Sequence, residues 1–162
     1  MPDPFVLAAL EGLGPGAGRR ALDLAAGSGR HALELARLGW QTCAWDVSGV
    51  GLGLLLERAT ALGARVQTRR VDVLGMSAPS EPFDLLLCTD FLDRALWQSL
   101  AGWVCPGGHV LVATFCLDWP GAKPPERFRL RPGELGQGLP ALKTLRSEER
   151  AGRAGLLGLR TP

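Results

Sequence analysis

Three aspartates and two glycines are spaced so that together they could hold a nucleoside. Gly27 and Gly29 follow a short apolar run, RALDLA (20–25), and precede Arg30–Leu38, whose apolar residues recur at helical spacing. Glycines between a strand and a helix let the backbone turn sharply and approach a ligand closely. The unpaired N–H groups of the helix beginning at Arg30 face the same crevice. Asp46 ends the next run, QTCAWD (41–46), where a carboxylate can accept both hydroxyls of a ribose. Asp72 lies at the end of a third run, RVQTRRVDV (65–73), within reach of an adenine amino group. Asp23 sits inside the first run, just ahead of the glycines. Arg30 and His31 open the helix at the same crevice and are the candidates for chemistry. Arg30 either clamps a carboxylate or an anionic substrate, or lies on the helix surface. His31 either borders the reacting group or is a structural residue of the helix start.

Taken alone, GSGRHA (27–32) also fits the G-x-G-x-x-G/A fingerprint of dinucleotide binders, so an NAD(P)-dependent oxidoreductase is an alternative at this point. The chain has no Tyr, and no oxidoreductase catalytic set is evident. Cys43, Cys88, Cys105 and Cys116 are scattered singly, without C-x-x-C or metal-type spacing, so no metal site is expected. Cys105-Pro106 is not the Pro-Cys nucleophile of cytosine methylation, and CTDFL (88–92) lacks the D/N-P-P-Y/F signature of adenine-amino methylation.

The elements that must position these residues alternate along the chain. Asp3-Pro4 ahead of FVLAAL predicts a capped N-terminal helix within residues 1–18. Ser48 is placed to cap a helix from about Val50 to Leu62. FDLLLC (83–88) reads as a buried strand, Arg94–Val104 as a helix, Pro106-Gly107-Gly108 as a tight turn and HVLVATF (109–115) as a core strand. A weak helix near Gly133–Leu139 and two strand candidates, 141–147 and 154–159, follow a Pro-rich polar segment. Strands separated by helical stretches imply βαβ units and a mostly parallel sheet covered on both faces. One domain over residues 1–162 is expected, since this length builds a single core.

Three features separate a methyl donor from a dinucleotide. Asp23 stands where methyltransferase motif I has its acidic residue and dinucleotide folds are usually apolar, Asp72 ends the third run, and the Pro-Gly-Gly turn stands directly before a strand. From Arg20 to Phe115 the chain resembles class I S-adenosylmethionine-dependent methyltransferases. It is more closely similar to small bacterial tellurite-resistance-type members, through LDLAAGSGRHALELARLGW, WDVS, VDV, FDLLLCTDFLDRAL, PGGHVLVATF and RFRLRPGEL. The resemblance implies an α/β, Rossmann-like three-layer sandwich whose seven strands run in the order 3-2-1-4-5-7-6. It implies S-adenosylmethionine as cofactor, with Ala25, Gly27 and Gly29 beneath its methionine part. Asp46 would hold the ribose, Val47 would pack beside the adenine, and Asp72 and Val73 would flank that ring. Cys88, Thr89 and Asp90 would line the methionine end. The chain departs from the family at Ala25, where most members have Gly, and at Asp93, where relatives often have His.

The resemblance further implies a small-molecule acceptor, with residues 117–133 as lid or substrate loop and a homodimer as one way to close the site. Nothing resembles a secretory signal, and no apolar run reaches the roughly 20 residues of a membrane helix, so a cytoplasmic protein without membrane contact is expected. Up to Asp118 there are nine basic and twelve acidic residues, and from Trp119 nine and four. That asymmetry leaves a non-catalytic cofactor-binding or RNA-associated protein as a further alternative, using basic residues 127–131.

Overall fold

A computed structural model describes residues 1–162, Gly138 by its backbone alone. The chain opens with α1 (Pro4–Leu13), followed by β1 (Arg20–Leu24), α2 (Arg30–Arg37), β2 (Gln41–Asp46), α3 (Gly49–Ala61) and β3 (Val66–Arg70). Then come β4 (Phe83–Thr89), α4 (Arg94–Trp97), β5 (Val104–Phe115), α5 (Glu134–Gly138), β6 (Lys143–Arg150) and β7 (Arg153–Leu159). The helix starts follow from local chemistry. Asp3 Oδ1 accepts the Phe5 and Val6 amides ahead of α1, with Pro4 at the first helical position. Ser48 Oγ accepts the Gly51 amide at 3.1 Å ahead of α3.

The seven strands form one sheet in the order β3-β2-β1-β4-β5-β7-β6, as the resemblance implies. β1 to β5 run parallel, whereas β7 is antiparallel to both β5 and β6. One face is packed by α1 with α2, through Val6, Leu10 and Leu35 against Leu85, Leu87 and Leu111, and by α3 through Leu52 and Leu55. The other face carries the larger core, in which Trp45, Trp97 and Trp103 meet Leu22, Leu86 and Leu156. Burial at this scale, about 25 cal/mol per Å² of apolar surface, is what holds the strand ends in register.

Several expected elements differ in detail. The helix expected over Arg94–Val104 is broken into the single turn of α4 and a 3₁₀ turn, Leu100–Trp103, and Val104 already belongs to β5. Ser99 Oγ donates to the Leu96 carbonyl, and Leu96, Leu100 and Trp103 still reach the core. β3 stops at Arg70, opposite the end of β2 at Asp46, so Asp72 stands in coil beyond it. No helix covers the β3–β4 crossover. Residues 71–82 are coil and pack Val73 and Met76 into the larger core instead.

Pro106-Gly107-Gly108 is an irregularity inside β5, not a turn before it. It is pinned by Gly107 N–H to the Arg160 carbonyl at 2.7 Å and Arg160 N–H to the Gly108 carbonyl at 2.9 Å. A Cβ at Gly108 would lie 2.8 Å from the Cys105 carbonyl oxygen. No helix among the described residues is long and apolar enough to cross a membrane.

Candidate functional site

Where β1 ends, the chain makes a loop that only certain residues tolerate. Ala25, Gly27 and Gly29 all take positive φ, at 56°, 56° and 74°. For Ala25 this is the uncommon left-handed region, whereas the glycines adopt it without steric penalty. Gly29 has a second constraint, because a Cβ there would collide with the Leu55 side chain. The loop is also gripped from α3, where a Cβ at Gly51 would stand 2.8 Å from the Gly27 carbonyl oxygen.

Asp46 fastens the loop to β2. Its Oδ2 accepts the Gly27 amide at 2.8 Å and its Oδ1 accepts the Ser48 amide at 2.7 Å. A carboxylate has about four lone-pair sites, so each oxygen keeps capacity for a ligand hydroxyl. Asp46 shares with Ala25, Val47, Asp72, Val73, Leu74 and Phe91 a cleft of about 280 Å³ at the carboxyl ends of the strands. In open α/β sheets that edge is where ligands bind. Val47 and Leu74 flank the cleft with 62% and 52% of their surface exposed, an apolar rim facing solvent. Asp72 uses Oδ1 to accept the Leu74 amide, which fixes the rim backbone. A larger groove, about 740 Å³, lies around the amino ends of β2 and β3 and contains none of these residues.

Asp23 lies beneath the loop, 1% exposed, and its carboxyl faces the Ala32 amide without making a hydrogen bond of good geometry. Burial pushes its carboxyl up to about 7, and the Ala32 amide and the Arg30 charge offset only part of that.

On the other side of the loop a chain of ionic contacts crosses four elements. Arg30 pairs with Asp90 just past β4. Arg153, at the head of β7, donates to Asp90 at 2.6 Å and to Asp3 at 2.6 Å. Its guanidinium also lies 4.2 Å from the centre of the Phe115 ring. Asp90 has φ 54° and donates its amide to the Ala113 carbonyl, so its side chain is held by strained backbone. His31 is buried within this network. Its Nε2 accepts the Asp3 amide at 3.0 Å, and that bond leaves Nδ1 to donate to Thr89 Oγ1 at 2.9 Å. Burial first, and then the Arg30 charge, bring the imidazole down to about 4, so the ring is neutral. Cys88 is fully buried beside Thr89, its thiol pushed up to about 12 by desolvation.

Residues 117–133 carry hydrogen bonds among themselves and a ring contact to the end of β5. The buried Arg129 donates to the carbonyls of Trp119, Gly121 and Pro124 at 3.0, 2.6 and 2.8 Å. Trp119 stands edge-on to Phe115, with centroids 5.0 Å apart, and Leu117 N–H bonds the Leu130 carbonyl.

With this geometry in view, residues 21–108 match the methyltransferase domain family. The chain belongs to that family. The ubiquinone biosynthesis O-methyltransferase of Rhizobium johnstonii is 31% identical over 117 residues, 69% of this chain and 45% of the relative. The chain thus spans under half the length of that relative. Among solved structures, TehB from Haemophilus influenzae superposes with a TM-score of 0.83 at 21% identity, over 99% of this chain and 63% of that one. An S-adenosylmethionine-dependent methyltransferase from Aquifex aeolicus gives 0.78 at 18%, over 98% and 90%. The cofactor of this methyltransferase family is S-adenosylmethionine.

Two residues of the ionic chain beside the glycine loop escape sequence reasoning. Asp3 is legible only as a helix cap, and Arg153 only as one of many surface arginines. They meet because β7 runs against β5, with Arg153 opposite Phe115, so the start of β7 lies at the edge where the parallel strands end. A signal for Arg153 would have required knowing that reversal. Phe91 and Leu74 extend the cleft, next to residues that the motifs do single out.

Proposed function

We propose that this chain transfers the methyl group of S-adenosylmethionine to a small-molecule acceptor. The observation that carries the reading is the cleft itself, in which Asp46 stands beside the glycine loop and between the exposed apolar flanks of Val47 and Leu74. The residues present fit the cofactor. Asp46 keeps acceptor capacity for a ribose, and Val47, Val73 and Asp72 form an apolar slot with one carboxylate for an adenine. Ala25, Gly27 and Gly29 offer a backbone free of bulky side chains for the methionine part, above the buried Asp23 carboxyl. Cys88 and Thr89 at the end of β4, with Asp90 just past it, close that end through their backbone.

Bound there, the cofactor supplies a methyl group already made electrophilic by its sulfonium sulfur. The protein's part is placement, and orientation alone can contribute about 7–11 kcal/mol. His31 acts as a strut, since both ring nitrogens are engaged and the ring is neutral. Arg30, Asp90, Arg153 and Asp3 form the polar rim on the acceptor side and set the charge that an acceptor meets. A soft or already ionised nucleophile then reacts without a general base. The four free thiols suit a reducing, cytoplasmic compartment.

The test is incubation with methyl-labelled S-adenosylmethionine and a panel of small thiols, phenols, carboxylates, amines and tellurite. Label in a small product supports the reading. Label recovered only in added RNA or protein, or none in any acceptor, overturns it.

A further inference from the structure

We propose that two copies of this chain join through β6, strand against strand, about a two-fold axis at Ser147. β6 is an edge of the sheet, paired only with β7, and all eight of its residues are exposed. A long, exposed edge strand presents a row of unpaired backbone N–H and C=O groups, which is a template for another strand. The opposite edge, β3, has five residues and a parallel neighbour, and offers a shorter row.

The order of charges along β6 selects both the partner and the register. When a strand pairs with its own copy about a two-fold axis, opposite residues lie on the same face of the sheet. Centred on Ser147, the pairing puts Arg146 of each copy opposite Glu148 of the other, giving two symmetric attractive pairs. The uncharged Ser147 then meets itself on the axis. Centring on Arg146 sets arginine against arginine, and centring on Glu148 sets glutamate against glutamate and Arg146 against Arg150. Like charges directly opposite are unfavourable and opposite charges favourable, so the strand is complementary to itself in one central register. Arg146 to Arg150 lie in the regular part of the ladder, beyond the irregularity between Thr144 and Arg146. Arg146 is held on its face by the Phe5 ring, 5.3 Å from the guanidinium carbon. The cofactor cleft, at β1 to β3, is separated from β6 by β4, β5 and β7 and stays open in the pair.

Sedimentation equilibrium on the full chain tests this, beside hydrogen exchange at high and low protein concentration. The wild type dimerises, and Glu148→Arg or Arg146→Glu weakens the dimer by about tenfold or more, while the double swap R146E/E148R restores it. Amides within 146–150 exchange more slowly as concentration rises. A wild type that stays monomeric, a dimer indifferent to both single substitutions, or exchange in β6 that ignores concentration overturns the proposal. Should a single variant fail to fold, the wild-type exchange result decides.

Discussion

Asp46 Oδ2 accepts the Gly27 amide proton at 2.8 Å, so the last residue of β2 holds the loop that follows β1. The same side chain holds the Ser48 amide ahead of α3. Asp46 is therefore a support of the site as well as its proposed ribose ligand. Asp46→Ala is expected to abolish binding of S-adenosylhomocysteine and also to lower the stability of the ligand-free chain. Two amides bonded to a carboxylate suggest a loss of about 2–4 kcal/mol by urea unfolding. A variant that loses binding at unchanged stability would show that the two hydrogen bonds carry no weight.

Gly51 and Gly53 lie two residues apart on α3 and should respond in opposite directions. A Cβ at Gly51 meets the Gly27 carbonyl, which is backbone and cannot step aside, whereas a Cβ at Gly53 meets nothing within 4 Å. Gly53→Ala is expected to stabilise by about 0.5–1 kcal/mol through the backbone entropy of the helix. Gly51→Ala gains the same term but displaces the loop, so it weakens ligand binding. Thermal unfolding with and without S-adenosylhomocysteine separates the two effects.

Much of this arrangement is legible in the sequence, for a physical reason. In a parallel sheet the strand ends share one edge, so residues ending successive apolar runs, such as Ala25, Asp46 and Asp72, come together once the runs are recognised. What is not legible depends on tertiary pairing. The spacing of Leu96, Leu100 and Trp103 suits a continuous helix, and nothing local announces the break at Ser99. The strand expected over residues 65–73 stops at Arg70 because β2 ends opposite it at Asp46 and offers no further ladder. Arg153 reaches Asp3, 150 residues away, only because β7 reverses direction.

Asp23 and His31 should give opposing pH dependences. The folded-state Asp23 carboxyl, near 7 against an ordinary 3.8, binds more protons than the unfolded chain across that interval. Its contribution to stability therefore falls as pH rises from about 4 to 7. The folded-state His31, near 4 against 6.5, binds fewer protons, and its contribution rises with pH over nearly the same window. Relative to wild type, Asp23→Asn should make stability climb from pH 4 to 6.5, and His31→Gln should make it fall from pH 4 to 7. Urea unfolding at several pH values checks both signs, and parallel profiles for the three proteins would contradict them.

Arg129 is expected to matter to stability more than a surface arginine does. Its guanidinium serves three carbonyls between Trp119 and Pro124, and removing it leaves them without their donor. Arg129→Ala should cost about 2–4 kcal/mol and open residues 118–125 to limited proteolysis. Arg129→Lys should recover little, because an ammonium lacks the planar fork that reaches three acceptors. Unchanged proteolysis in both variants would mean that the loop is held by Trp119 and Phe115 instead.

Thermal unfolding with added ligand tests the central claim most directly. S-adenosylmethionine and S-adenosylhomocysteine, each at about 100 times Kd, should stabilise by about 2.7 kcal/mol, or roughly 5–10 °C for a chain of this size. NADH should produce no shift. A shift with NADH and none with either adenosyl ligand would contradict the account.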